Sequence, residues 1–214
     1  MINLKITSED LLLYAVTDRG CLRGISLEEA VEQAILGGVG VVQLREKNIS
    51  TDELISEAEK LLRICHKYNV PLIINDDYET ALKCGADGVH VGIEDAPVAE
   101  IRKIAGSDFI IGATAKTVEQ AKLAENSGAD YLGVGAVFPS PTKTNAVRIT
   151  PQQLTEICGS VAIPAVAIGG INAENVHTIK GCGHKGIAVV SAVFGACDVK
   201  AASEELRKAV LETL

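Results

Sequence analysis

The chain has 214 residues, enough for one domain with a sizeable core, and its 47% apolar and 22% charged content excludes a disordered polymer. Aromatic residues are 3% and Trp is absent, which argues against a carbohydrate platform or a base-stacking nucleic-acid binder. The 20 basic and 28 acidic residues leave a net charge of −8, the wrong sign for tracking a phosphate backbone, so any anion must be held by a local cluster of Lys and Arg.

No stretch approaches the ~20 apolar residues of a membrane span, and Met1–Asp10 lacks the basic start and apolar core of a signal peptide. The expected address is the cytoplasm. The six cysteines (21, 65, 84, 158, 182 and 197) form no Cys-x-x-Cys pair and read as small buried or neutral side chains. His66, His90, His177 and His184 show no zinc-protease spacing.

In chain order, short apolar runs alternate with amphipathic stretches. Strands are predicted at Leu12–Val16, Val41–Leu44, Leu72–Ile74, Gly88–Val91, Ile110–Ala113, Tyr131–Val134, Ala165–Ile168 and Ile187–Val190. Between them lie helices, opened by Ser26 before two glutamates, by Thr51 before Asp52 and Glu53, and by Thr117 before Glu119 and Gln120; the last covers Ala201–Leu211. Similar segments precede the even strands: Gly37-Gly38-Val39-Gly40, Gly85-Ala86-Asp87-Gly88, Gly128-Ala129-Asp130-Tyr131 and, weakly, Gly183-His184-Lys185-Gly186. A repeat that returns every two βα units fits a closed barrel better than an open sheet whose strand order reverses once. The predicted fold is α/β, a single (β/α)8 TIM barrel over residues 1–214, with a doubly wound sheet as the alternative.

In such a barrel the residues just after each strand form the active site. After the second strand, Gln43, Arg45 and Lys47 point one way if the strand persists, an amide and two cations suited to an oligophosphate and an adjoining heterocycle. The competing structural reading pairs Arg45 with Glu46. Asn75-Asp76-Asp77 and Glu94-Asp95 bring carboxylates to the rim after strands three and four, a donor set for magnesium rather than zinc. The same acids could instead cap helices; Asp77 is the better cap and Asp76 the better ligand. His90, within a strand, reads as a satisfied core histidine. Ser140, Pro141, Thr142 and Lys143 form a loop of hydroxyls and one ammonium after strand six, while Gly169-Gly170 and Val190-Ser191 allow close backbone approach after strands seven and eight. Two anion sites are implied, and no Ser or Cys at a strand end has a plausible His partner for nucleophilic catalysis.

These motifs resemble the thiamine phosphate synthase family, over nearly the whole chain. The resemblance is carried by Gln43-Leu44-Arg45-Glu46-Lys47, Ile74-Asn75-Asp76-Asp77, Gly88-Val89-His90-Val91-Gly92 with Asp95, Gly133 through Lys143, Ile168-Gly169-Gly170-Ile171 and Val189-Val190-Ser191-Ala192. It implies a barrel that joins hydroxymethylpyrimidine pyrophosphate to a thiazole phosphate carboxylate, releasing pyrophosphate and CO2 after dissociative C–O cleavage. It further implies that Gln43, Leu44, Arg45, Glu46, Lys47, Asn75, Thr114 and Lys143 contact the pyrimidine pyrophosphate, with Arg45, Lys47 and Lys143 catalytic. Asp76 and Asp95 would hold Mg2+, and Ser140, Pro141, Thr142, Gly170, Val190 and Ser191 would contact the thiazole phosphate. Thr114 and Ser140 stand where the family often has Ser and Thr, each keeping a hydroxyl. The implied partners are these small molecules, with no nucleic acid and no membrane; a homo-oligomer is compatible with the exposed helix faces. A related thiazole tautomerase uses a His after strand six, where this chain has Gly135-Ala136, and a noncatalytic phosphometabolite-binding barrel would have shed Lys143 or the acids.

Overall fold

A computed structural model describes residues 6–47, 49–140 and 147–214. Eight parallel strands close on themselves in sequence order: β1 Leu13–Val16, β2 Val41–Leu44, β3 Leu72–Asn75, β4 Gly88–Val91, β5 Ile110–Ala115, β6 Tyr131–Gly135, β7 Ala165–Ile168 and β8 Gly186–Val189, with β8 paired back to β1. The helices are α1 Leu27–Leu36, α2 Thr51–Lys67, α3 Tyr78–Cys84, α4 Val98–Ala105, α5 Val118–Asn126, α6 Pro151–Cys158, the short α7 Ser191–Phe194, and α8 Val199–Leu211. Among the described residues no helix is long and apolar enough to cross a membrane.

Alternation along the strands divides the core in two. One set of side chains, including Leu13, Ala15, Val42, Leu44, Leu72, Ile74, Val89 and Ile111, packs against the surrounding helices. The other set, Tyr14, Val16, Val41, Ile73, Ile110, Tyr131, Val166 and Ala188 with Leu11, fills the barrel interior. The lower interior is therefore a packed plug and only the upper end is open to polar chemistry.

The Gly-Ala-Asp repeat has a structural cause. Asp87 accepts a hydrogen bond from the Leu72 N–H at the start of β3 and a second contact from His66; Asp130 does the same for Ile111 of β5 and pairs with Arg102 at 2.7 Å. Each aspartate thus fixes the entry of a neighbouring strand and is held in turn by a side chain of an adjoining helix, the His66 ring for Asp87 and the Arg102 guanidinium for Asp130.

Helix starts follow the cap residues, with corrections. Ser26 and Thr117 cap α1 and α5, but α2 is capped by Ser50, in a reciprocal capping box with Glu53, instead of by Thr51. Helix α8 begins two residues earlier than predicted, at Val199, because Asp198 supplies its cap. No α-helix joins β7 to β8: Asn172 and Asn175 bond the local backbone instead, and the segment forms only a 3-10 turn, Val176–Ile179. All six cysteines are free; burial pushes the Cys65 thiol up, whereas Cys197 is exposed.

Candidate functional site

The C-terminal ends of the strands carry the predicted residues. Gln43 lies two positions beyond Val41 of the interior plug and is itself buried inside the barrel mouth. The β2 ladder ends at Leu44, after which Thr17 takes over: its N–H bonds the Gln43 carbonyl at 2.9 Å, and its hydroxyl accepts from the Arg45 N–H at 2.9 Å. Thr17 thereby keeps the chain extended into Arg45. Among the described residues neither Arg45 nor Lys47 makes an ion pair, leaving both cations available to an anionic ligand.

Glu46 and Leu44 are turned elsewhere. Glu46 faces Arg19, with Oε1 3.3 Å from Nε, and does not pair with Arg45; Arg19 in turn contacts Glu57. Burial raises the Glu46 carboxyl against the opposing pull of Arg19. The Leu44 side chain belongs to the outer core, so only its backbone can face a ligand. These placements set both side chains apart from the Gln43 row.

The rim acids separate into different roles. Asp77 caps α3 by accepting from the Thr80 N–H. Asp76 sits at φ +63°, a left-handed backbone uncommon for a residue with a side chain. Its N–H is tied to the His90 carbonyl at 2.8 Å, and its exposed carboxylate accepts from the Asn75 amide at 2.6 Å. Strain of this kind persists where surrounding contacts over-determine it, commonly at a ligand site. Asp95 is also exposed, and its carboxylate accepts from the Gly92 N–H at 2.6 Å; the cap of α4 is Pro97, so the capping role considered for Asp95 is not realised. Among the described residues no group of three or more His, Cys, Asp or Glu side chains could hold a metal. Two carboxylates in the loops that follow the adjoining strands β3 and β4 are nevertheless of the chemical type that suits a hard ion taking its remaining ligands from phosphate and water.

Within the mouth lies a polar array that sequence reasoning missed. The Gln43 amide contacts the Tyr14 hydroxyl at 2.7 Å, Tyr14 meets the Tyr131 hydroxyl at 2.7 Å, Tyr131 meets His90 Nδ1 at 3.2 Å, and His90 Nε2 meets the Thr114 hydroxyl at 3.1 Å. Two glycines make the room. A Cβ at Gly112 would lie 2.2 Å from the Tyr131 ring, and one at Gly133 would lie 2.9 Å from the His90 ring. Desolvation pushes the His90 imidazole down to about 4 and raises both tyrosines above the ordinary phenol value, so all members are neutral at pH 7. The available signal was the placing of two of only four tyrosines on inward positions of β1 and β6.

On the opposite side, the loop after β6 is held against β7 by the Phe138 N–H to the Gly169 carbonyl at 2.9 Å, and it returns at Ile149, whose N–H bonds the Ala136 carbonyl. Gly170, at φ +62°, lies under Ser140's neighbour: a Cβ there would stand 2.2 Å from the Pro139 carbonyl oxygen. Asn175 donates to the Gly170 carbonyl at 2.9 Å and fixes this crossing. Ser140 is half-buried, Val190 leads into α7 from the interior plug, and Ser191 is exposed at the first position of that helix. Pro141, Thr142 and Lys143 lie outside the described residues. The arrangement can bind anions on two sides of one mouth, and its buried neutral array offers donors and acceptors to a flat heterocycle.

Comparison with known proteins gives one consistent result. The family model for thiamine monophosphate synthase matches residues 13–193. The thiamine-phosphate synthase of Ruminiclostridium cellulolyticum is 51% identical over 92% of this chain and 94% of its own, and that of Clostridium tetani is 50% identical over the same shares. The solved structure of a thiamine phosphate pyrophosphorylase from Pyrococcus furiosus is 42% identical, covering 97% of this chain and 98% of its own at a TM-score of 0.88.

Proposed function

The chain belongs to the thiamine monophosphate synthase family, and from that premise we propose that its barrel mouth joins a hydroxymethylpyrimidine pyrophosphate to a thiazole phosphate carboxylate, giving thiamine phosphate, pyrophosphate and CO2. The assignment of the site is supported by Arg45 and Lys47, which follow the end of β2 and make no ion pair among the described residues, and by Asp76, which follows the end of the neighbouring β3 at a left-handed φ.

In this reading Gln43 and Asn75 orient the pyrimidine, Thr114 donates to its pyrophosphate, and Arg45, Lys47 and Lys143 stabilise charge as it gathers on the leaving group. The methylene C–O bond breaks with its electron pair departing on pyrophosphate, and the thiazole nitrogen supplies the pair that closes the new C–N bond. The carboxylate of the thiazole leaves as CO2, its bonding electrons stay with the ring, and the ring takes up a proton from solvent to give thiamine phosphate. Asp76 and Asp95 would hold a magnesium ion, which when bound neutralises the pyrophosphate oxygens. The Gly170 crossing, Ser140, Pro141, Thr142, Val190 and Ser191 keep the thiazole phosphate apart from the first anion. No side chain acts as a nucleophile. A cytoplasmic location and a small-molecule partner set accompany this reading, supported by six free cysteines and by the biosynthetic relatives.

The test is product formation by the purified protein. With both substrates and magnesium, thiamine phosphate and pyrophosphate should form in equal amounts; binding without turnover would point to a noncatalytic phosphometabolite protein, and rearrangement of the thiazole alone to an isomerase.

A further inference from the structure

The four contacts Gln43–Tyr14, Tyr14–Tyr131, Tyr131–His90 and His90–Thr114 join β2 to β5 through the barrel interior. Hydroxyls and a neutral imidazole can each accept and donate, so the direction of the series is set at its ends. The Gln43 amide nitrogen only donates. Tyr14 accepts from it, and the only other partner for the Tyr14 proton among the described residues is Tyr131; with each buried hydroxyl proton placed on a partner, Tyr14 donates to Tyr131 and Tyr131 donates to His90 Nδ1. An imidazole that accepts at Nδ1 carries its proton on Nε2, which then donates to Thr114. The Thr114 hydroxyl proton has no protein acceptor among the described residues, and neither does Gln43 Oε1 a protein donor.

We infer that Tyr14, Tyr131 and His90 are positioning residues, a one-way hydrogen-bond relay that holds His90 as the Nε2–H tautomer, leaving Gln43 as an acceptor at one end and Thr114 as a donor at the other. The inference rests on the proposed binding of the pyrimidine pyrophosphate only for the use of those ends: an acceptor suits an exocyclic amine on the ring, and a donor suits a phosphate oxygen. The relay makes the two requirements one, because reversing either end reverses both. It also accounts for Gly112 and Gly133, whose missing side chains leave the space that Tyr131 and His90 occupy. The interior members, Tyr14, Tyr131 and His90, each have a partner on both sides, and such a connected series is more rigid than the sum of its pairs.

Two-bond 15N–1H correlation spectra of the full-length protein, with the His90 signals assigned by their loss in His90→Gln, read the tautomer directly and need no substrate. The expected result at neutral pH is a single Nε2–H form. A single Nδ1–H form, or an even mixture, overturns the relay's direction. In Tyr131→Phe, whose fold is checked by far-ultraviolet circular dichroism, His90 should lose its single tautomer and KM for the pyrimidine pyrophosphate should rise several-fold with KM for the thiazole phosphate unchanged. A His90 that stays purely Nε2–H in that variant overturns the relay as a unit. If the spectra come out as expected while both KM values stay at the wild-type level, the relay stands and the placement of the pyrimidine substrate fails.

Discussion

The Tyr14 and Tyr131 hydroxyls meet at 2.7 Å across the barrel interior, on strands that are not neighbours in the sheet. Each phenol is almost fully buried, so removing one hydroxyl strands the partner's polar group. Tyr14→Phe should cost about 1–3 kcal/mol in urea unfolding, and Tyr131→Phe about the same. The double variant should cost less than the sum of the two, because the second loss leaves fewer groups unsatisfied. Strict additivity would show that the hydroxyls do not depend on each other.

A second prediction follows from His90, whose imidazole is pushed down to about 4 from an ordinary 6.5. Below about 6.5 the unfolded chain takes up a proton that the folded chain refuses until pH falls to about 4, so stability declines on acidification through that window. At pH 5 the wild type should have lost about 2 kcal/mol through this group relative to pH 7, a loss that His90→Gln should lack. Parallel pH profiles of unfolding for the two proteins would contradict the buried neutral ring.

Asp76 separates backbone strain from chemistry. Asp76→Gly removes the side chain and fits φ +63°, so thermal stability should hold or rise by up to about 1 kcal/mol while turnover is lost; Asp76→Ala should lose both. Melting temperatures and kcat measured together check this. Full activity in the glycine variant would remove Asp76 from the proposed metal site.

At Gly170 a methyl group would meet the Pro139 carbonyl at 2.2 Å from a left-handed backbone. Gly170→Ala should cost roughly 1–3 kcal/mol and displace the loop after β6. The expected kinetic result is a KM for the thiazole phosphate raised about tenfold, on the scale of 1.4 kcal/mol of lost binding, with that for the pyrimidine little changed.

The barrel was legible because the strands are short, largely apolar runs bounded by turn residues, and the two-unit repeat favoured closure over an open sheet. Asp87 and Asp130 explain that repeat, although their bonds to Leu72 and Ile111 cross between strands and leave no mark on local periodicity. The β2 row was readable from alternation up to Leu44, where the ladder stops; its continuation depends on Thr17, a residue distant in sequence. The Tyr14–His90 array was hidden because each member alone looks like a core residue. Only strand closure brings them together, and only Gly112 and Gly133 make space for them. The competing reading pairs Glu46 with Arg45, its neighbour in the chain, yet its partner is Arg19 from another loop.

The central claim is that one barrel mouth holds two anions separately, the pyrophosphate by the Arg45 row and the thiazole phosphate by the Gly170 and Ser191 side. Steady-state kinetics on Arg45→Ala and Ser191→Ala, each with either substrate varied, tests it most directly. Arg45→Ala should lower kcat and raise KM for the pyrimidine pyrophosphate, at a combined cost of about 2–4 kcal/mol in kcat/KM, with KM for the thiazole phosphate nearly intact. Ser191→Ala should do the reverse in KM, raising that for the thiazole phosphate alone. Equal increases for both substrates in either variant would contradict the division of the site.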